Sequence, residues 1–170
     1  EKNHGLGLEH PLCDSIQLLM LILFFLVWGI DSLSHYLLGI STVLIESTAL
    51  PYLFLPALFA IAFSVYLLRK SSEAVFGETA PKERTLLESG VYSLVRHPMY
   101  LGVLIFCVAF LFAVLSLAAL VAWIAFFVAY DRMTVFEERD LIRIYGRSYI
   151  AYQQRVPKWF LLRRYIRRTG

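Results

Sequence analysis

Residues 99–130 read MYLGVLIFCVAFLFAVLSLAALVAWIAFFVAY, from Met99 to Tyr130 without one charged side chain. A membrane-crossing helix takes about 20 apolar residues, so this run is too long for one untilted span and slightly short for two. It reads as a tight helical hairpin turning near residues 113–116. Two uncharged runs precede it. Residues 15–30 carry no charge, and with Asp31 near a membrane face the first helix reaches about Tyr36; residues 50–68 form the next run, closed by Arg69 and Lys70. The 170-residue chain is 59% hydrophobic, 15% aromatic and only 17% charged, against about 45–50% apolar and about 25% charged for soluble domains. Lipid is the solvent that accepts such a surface. The expectation is one all-α integral-membrane domain over residues 1–170, with about four transmembrane helices and a cytoplasmic C-terminal amphipathic helix. Residues 15–70 would form an N-terminal helix pair.

The basic residues orient this arrangement. Residues 69–96 hold Arg69, Lys70, Lys82, Arg84 and Arg96, residues 31–50 hold no Lys or Arg, and from Asp131 onward ten basic residues face four acidic ones. An even number of spans with both termini and the central loop in the cytoplasm satisfies each segment. The opposite side keeps a short connection and a loop around Glu46, which leaves nearly all the polar chemistry on the cytoplasmic face. Residues 132–155 read as a helix continuing out of the membrane, with Leu141, Tyr145, Tyr149 and Tyr152 along one face. A basic tail at 158–170, with Lys158, Arg163, Arg164, Arg167 and Arg168, suits anionic headgroups or serves as a plain topology determinant. Cys13 and Cys107 have no metal-ligand spacing and specify no disulfide framework; no metal and no nucleic-acid partner are expected. No basic segment with a cleavage site precedes the first apolar run, so that run is expected to be permanent.

Two stretches carry chemistry. In residues 89–102, SGVYSLVRHPMYLG, Gly90 permits a tight turn, and Pro98 pre-sets the first helical residue while restricting His97. His97 then lies at the start of the third helix, where free amides and the positive dipole end, beside Arg96, suit a carboxylate or another anion. The same Arg-His pair also reads as a topology anchor. The second stretch is Glu137-Glu138 at the C-terminal side of the fourth helix. Carboxylates there oppose the macrodipole and are costly near lipid without a cation, which Arg96, Arg132, Arg139 or a cationic cofactor would supply; a solvated interfacial pair is the other reading.

Together these blocks resemble a known superfamily. Gly90-x-Tyr92, then Arg96-His97-Pro98-x-Tyr100-x-Gly102, and about 35 residues later Glu137-Glu138-x-x-Leu141, Tyr145-Gly146, Tyr149, Tyr152 and Arg155-Val156-Pro157 are similar to the isoprenylcysteine carboxyl methyltransferase and phospholipid methyltransferase superfamily. The likeness covers residues 83–157, which would be the methyltransferase core. It implies S-adenosylmethionine at the cytoplasmic membrane face, with S-adenosylhomocysteine as product. By the same likeness, Leu86, Leu87, Tyr92, His97, Pro98, Tyr100 and Glu137 would line the cofactor pocket, and Gly102 would allow close approach of the chain. Substrate would be a lipophilic small molecule or a prenylated cysteine, entering from the membrane lipids. His97 and Glu138 are the candidate bases for an acceptor that must lose a proton. Eukaryotic prenylcysteine enzymes carry an Arg four residues before the first Glu; here Met133 holds that position and Arg132 is one residue earlier, a turn of about 100° on a helix. Arg132 is the candidate grip on an acceptor carboxylate.

Two other classes compete. Sterol reductases share a His-Pro-x-Tyr and a Tyr-Gly/Arg-Val-Pro pattern but use NADPH, and they are much longer. A non-enzymatic haem module would need two histidines, whereas His35 and His97 fall on opposite sides in this topology. Asp31 and His35, four apart on the first helix, read as an ion pair or a solvated helix end, and His4 and His10 as parts of a polar leader.

Overall fold

The structure, a computed structural model, describes residues 11–44, 50–77 and 85–159. The loop around Glu46, His4, His10, Lys82, Arg84 and the tail arginines lie outside these residues. Five helices follow in order: α1 (Pro11–Leu38), α2 (Leu50–Phe76), α3 (Pro98–Ala113), α4 (Leu117–Tyr145) and α5 (Arg147–Arg155), with a 3-10 turn at Gly90–Ser93 before α3. Three segments, Ser15–Leu38, Tyr52–Phe76 and Leu117–Tyr145, are long and apolar enough to cross a membrane. The fourth apolar helix, α3, has only 16 residues, about 24 Å at 1.5 Å per residue. On α1 and α2, Ile22, Leu26, Phe54, Leu55 and Phe59 are exposed, a surface that lipid solvates.

The hairpin turn falls where the apolar run predicts it. Val114 leaves helical geometry, and Ser116 caps α4 by accepting from the Ala119 amide at 3.0 Å. That turn is stitched to the segment after α1: Leu44 N–H donates to Leu115 O and Leu117 N–H to Thr42 O. Asp31 accepts from the Thr42 amide and hydroxyl at 2.9 and 2.8 Å, while His35 Nδ1 meets Ser41 Oγ at 2.9 Å. The pair expected as an ion pair or solvated end thus fastens the chain as it leaves α1.

Helix α2 lies along α3, and α1 against α4. The close fit of the first pair depends on Gly102, because a Cβ there would come within 2.8 Å of Leu68 Cγ; next to it Ser64 Oγ donates to Gly102 O at 2.8 Å. Between α1, α3 and α4 lies a core of Phe24, Tyr100, Leu104, Cys107, Phe126 and Tyr130, closed at one end by Met133 and Trp159.

Two expectations about helix ends are corrected. Helix α2 does not stop at Arg69-Lys70 but runs to Phe76, with Ser71 Oγ bonded back to Leu67 O and Lys70 paired to Glu73 at 2.8 Å. The helix expected over residues 132–155 is broken: Gly146 adopts φ 56°, ending α4 and starting α5 in a new direction. Few residues other than glycine tolerate that conformation.

Candidate active site

At the end of the bundle where α3 begins and α4 ends, a cavity of about 460 Å³ opens. Its walls come from every helix. Helix α1 gives Gln17, Leu18 and Leu21, the extension of α2 gives Val75 and Phe76, and α4 and α5 give Glu137, Leu141, Tyr145, Tyr149 and Tyr152. The segment before α3 supplies Leu86, Leu87, Tyr92, Arg96 and His97, and the first turn of α3 supplies Pro98, Met99 and Tyr100.

His97 is built into this wall by local sequence. Pro98 takes the first helical position and leaves His97 as the preceding residue at φ −124°, ψ 65°, without a side-chain cap. Freed from capping, the imidazole turns toward α4, where it is 5% exposed. Consecutive residues on a helix point about 100° apart, so Glu137 and Glu138 reach different edges of the ring. Nε2 donates to Glu138 Oε1 at 3.0 Å, and Nδ1 lies 3.5 Å from Glu137 Oε2. Glu138 is further held by Arg96 Nε at 3.4 Å and by Gln153 Nε2, which donates to Oε2 at 3.0 Å. Glu137 Oε2 is buried and has no partner in good hydrogen-bond geometry; buried polar atoms normally have one.

The electrostatics follow from these contacts. Burial works against the charged imidazole, but the two flanking carboxylates, Glu137 and Glu138, outweigh it, so the His97 pKa lies above the ordinary histidine value. Burial pushes the Tyr149 and Tyr152 phenols up, which keeps both protonated. Tyr152 donates its O–H to Tyr92 O at 2.6 Å.

The C-terminal segment braces the site from behind. Arg96 N–H donates to Pro157 O at 3.0 Å. Asp131 accepts from Lys158 Nζ at 2.6 Å and from Trp159 Nε1 at 2.9 Å. Those two bonds set the Trp159 ring 6.2 Å from that of His97.

Of the residues singled out from sequence, Leu86, Leu87, Tyr92, His97, Pro98, Tyr100 and Glu137 meet around the cavity. Gly102 does not reach it and serves the α2–α3 contact instead. Glu138 stands behind His97, engaged by three side chains. Arg132 is exposed on α4 and is not among the lining residues, and Met133 beside it is buried in the core. The sequence reading missed Gln17, Leu18 and Leu21 of α1 and Val75 and Phe76 of α2. Gln17, Leu18 and Leu21 sit in a run whose composition reads as lipid-facing, and Val75 and Phe76 in a polar stretch beyond Arg69-Lys70, with no local signal to set any of them apart. Gln153 and the Asp131–Lys158–Trp159 contacts likewise depend on the break at Gly146.

The chain belongs to the phospholipid methyltransferase family, which matches residues 45–148. It is 38% identical over 76 residues, 42% of this chain and 37% of the relative, to Protein-S-isoprenylcysteine O-methyltransferase B of Arabidopsis thaliana. It is also 38% identical over 89 residues, 52% of this chain and 29% of the relative, to Methanethiol S-methyltransferase 1 of Bradyrhizobium diazoefficiens. The chain thus spans about a third of the length of these curated relatives. No solved structure gives a significant match.

Proposed function

We propose that this chain binds S-adenosylmethionine in the cavity and methylates a lipophilic acceptor that arrives from the bilayer, with the site at the cytoplasmic face. The observation that carries the reading is Glu137 Oε2, a buried carboxylate oxygen without a hydrogen-bond partner on the wall of a 460 Å³ cavity. That volume lies within the range of about 300–1,000 Å³ usual for small-molecule sites.

The residues fit the cofactor group by group. Glu137 accepts from an ammonium or a ribose hydroxyl. The first amides of α3 and the adjacent Arg96 favour a carboxylate. Leu86, Leu87, Tyr92 and Tyr149 offer apolar and aromatic surface for a heterocycle. When bound, the cofactor supplies a methyl group activated by a sulfonium centre. The chain contributes alignment and the exclusion of water, because this reaction disperses charge and gains most from a dry pocket that fixes donor and acceptor in line. Helices α1 and α2 present the apolar residues Leu18, Leu21, Val75 and Phe76 to the cavity, a lining suited to an alkyl or prenyl chain.

Calorimetric titration of the detergent-purified chain with S-adenosylhomocysteine and, separately, NADPH tests the assignment. Binding of S-adenosylhomocysteine alone is expected. Binding of NADPH alone would transfer the chain to the reductase class.

A further inference from the structure

Gln17 is the only glutamine or asparagine in the three membrane-length helices, and it stands on the inward face of α1. Gln17, Leu21 and Phe24 follow at four and three residues, a spacing that puts them on one side of a helix. Phe24 is 1% exposed, in the core with Tyr100 and Tyr130, while Gln17 and Leu21 line the cavity. The amide is thus held where the cavity meets the core, beside the apolar Leu18 and Leu21. An amide withdrawn from water is costly unless it is hydrogen-bonded, so this position calls for a partner.

A second polar group near it has the same need. Tyr130 is 0% exposed, and among the described residues its hydroxyl has no hydrogen-bond partner. The Gln17 side chain approaches that hydroxyl without completing a hydrogen bond. The Cys107 thiol, also close by, is a weak partner. The Tyr130 ring lies 4.8 Å from that of Tyr100, itself a lining residue.

Resting on the methyl-transfer reading above, we propose that Gln17 and Tyr130 form a neutral subsite for the acceptor, in which Gln17 donates to a carbonyl oxygen that is not itself methylated. The direction follows from donor and acceptor capacity. The buried phenol is satisfied by donating its O–H to the Gln17 side-chain oxygen, and the amide then has only N–H groups to offer the cavity. Those groups are met by a hydrogen-bond acceptor. An uncharged one fits, because neither side chain brings a charge to offset an ion beside Leu18 and Leu21. Arg96, His97 and Glu137 belong to the wall formed by the start of α3 and the end of α4, where the reading above places the cofactor's charged ends. Gln17 is left to the acceptor. A site with a donor held ready in this way discriminates against an analogue without the oxygen, since the N–H is then buried unpaired.

Two unreactive probes of equal chain length separate this role from plain packing: a long-chain methyl ketone and the alkene in which a CH2 group replaces its oxygen. Each is titrated into the full chain in nanodiscs loaded with S-adenosylhomocysteine, for wild type, Gln17→Leu and Tyr130→Phe. Comparing one probe between wild type and variant cancels the probe's own partitioning into lipid. Gln17→Leu is expected to weaken ketone binding about tenfold, the order for one hydrogen bond lost in a buried site, and to leave alkene and S-adenosylhomocysteine affinities unchanged. Tyr130→Phe should shift the ketone in the same direction by less. Equal ketone affinity in wild type and Gln17→Leu overturns the proposal. So does an equal loss for ketone and alkene, the mark of a packing role, or a loss of S-adenosylhomocysteine affinity, which would make Gln17 a cofactor residue. Should Gln17→Leu fail to fold, the same comparison in Tyr130→Phe decides. Failure of S-adenosylhomocysteine to bind the wild type removes instead the methyl-transfer reading, and this inference falls with it.

Discussion

Glu137 and Glu138 are adjacent in sequence and have different tasks, because one peptide step on a helix sends one carboxylate to the cavity and the other behind His97. Glu137→Gln keeps the shape and removes the charge. The loss of a charged hydrogen-bond partner amounts to about 1.5–3 kcal/mol, or roughly ten- to a hundredfold in S-adenosylhomocysteine affinity by titration. Glu73→Gln, in an exposed pair with Lys70, should leave affinity unchanged, and equal losses in both variants would sink the role given to Glu137. His97 adds a pH signature. Its pKa is raised in the folded chain, so the stabilisation is fully present below the unfolded value of about 6.5 and is lost as pH rises through the higher folded value. The thermal midpoint in detergent should therefore fall as pH climbs above 6.5, and His97→Gln should flatten that fall; an unchanged slope in the variant would show that His97 is neutral. At this scale the motif residues were readable because each is chemically distinctive. Their roles were less so: Gly102 belongs to a motif that lines the cavity, yet its own contact is with Leu68.

Helix α2 meets α3 at that glycine, so Gly102→Val tests the contact between elements. The added side chain would clash with Leu68 and loosen the pair that positions both Phe76 and Pro98 at the cavity. Overpacking of this kind costs about 1–3 kcal/mol, to be read as a lower thermal midpoint of the purified chain. An unaltered midpoint would mean that Leu68 swings outward at no cost. Helix positions in the apolar hairpin were legible because length and hydropathy alone constrain them. The ends of α2 and α4 were not. Arg69 and Lys70 look like a stop, but their long side chains are exposed and let the helix continue. The stripe Leu141, Tyr145, Tyr149 and Tyr152 keeps helical spacing straight through Gly146, and all four residues do face the cavity. They do so from two helices that meet at a positive-φ glycine.

For the whole molecule, the charge asymmetry leads us to expect both termini and the end of α2 that carries Ser72 on the cytoplasmic side. Single cysteines at Ser72→Cys and Thr169→Cys, labelled with a membrane-impermeant reagent in oriented vesicles, should react from the same side. Labelling from opposite sides would remove the four-crossing arrangement. The sequence by itself determined that the chain is helical and membrane-embedded, since lipid is the solvent that accepts a 59% hydrophobic chain and long continuous apolar runs satisfy their backbone polar groups there as helices. It also marked the His-Pro turn and the paired glutamates as the candidate chemical centre, and the fold brings these residues together. Only the tertiary structure decided what closes that centre: Gln17, Leu18 and Leu21 arrive from α1, Val75 and Phe76 from α2, and Asp131 fixes Trp159 behind His97. In a membrane protein, a leucine facing lipid and one facing a substrate cavity carry the same apolar signal, so periodicity and composition do not separate them. The packing of one helix against another does.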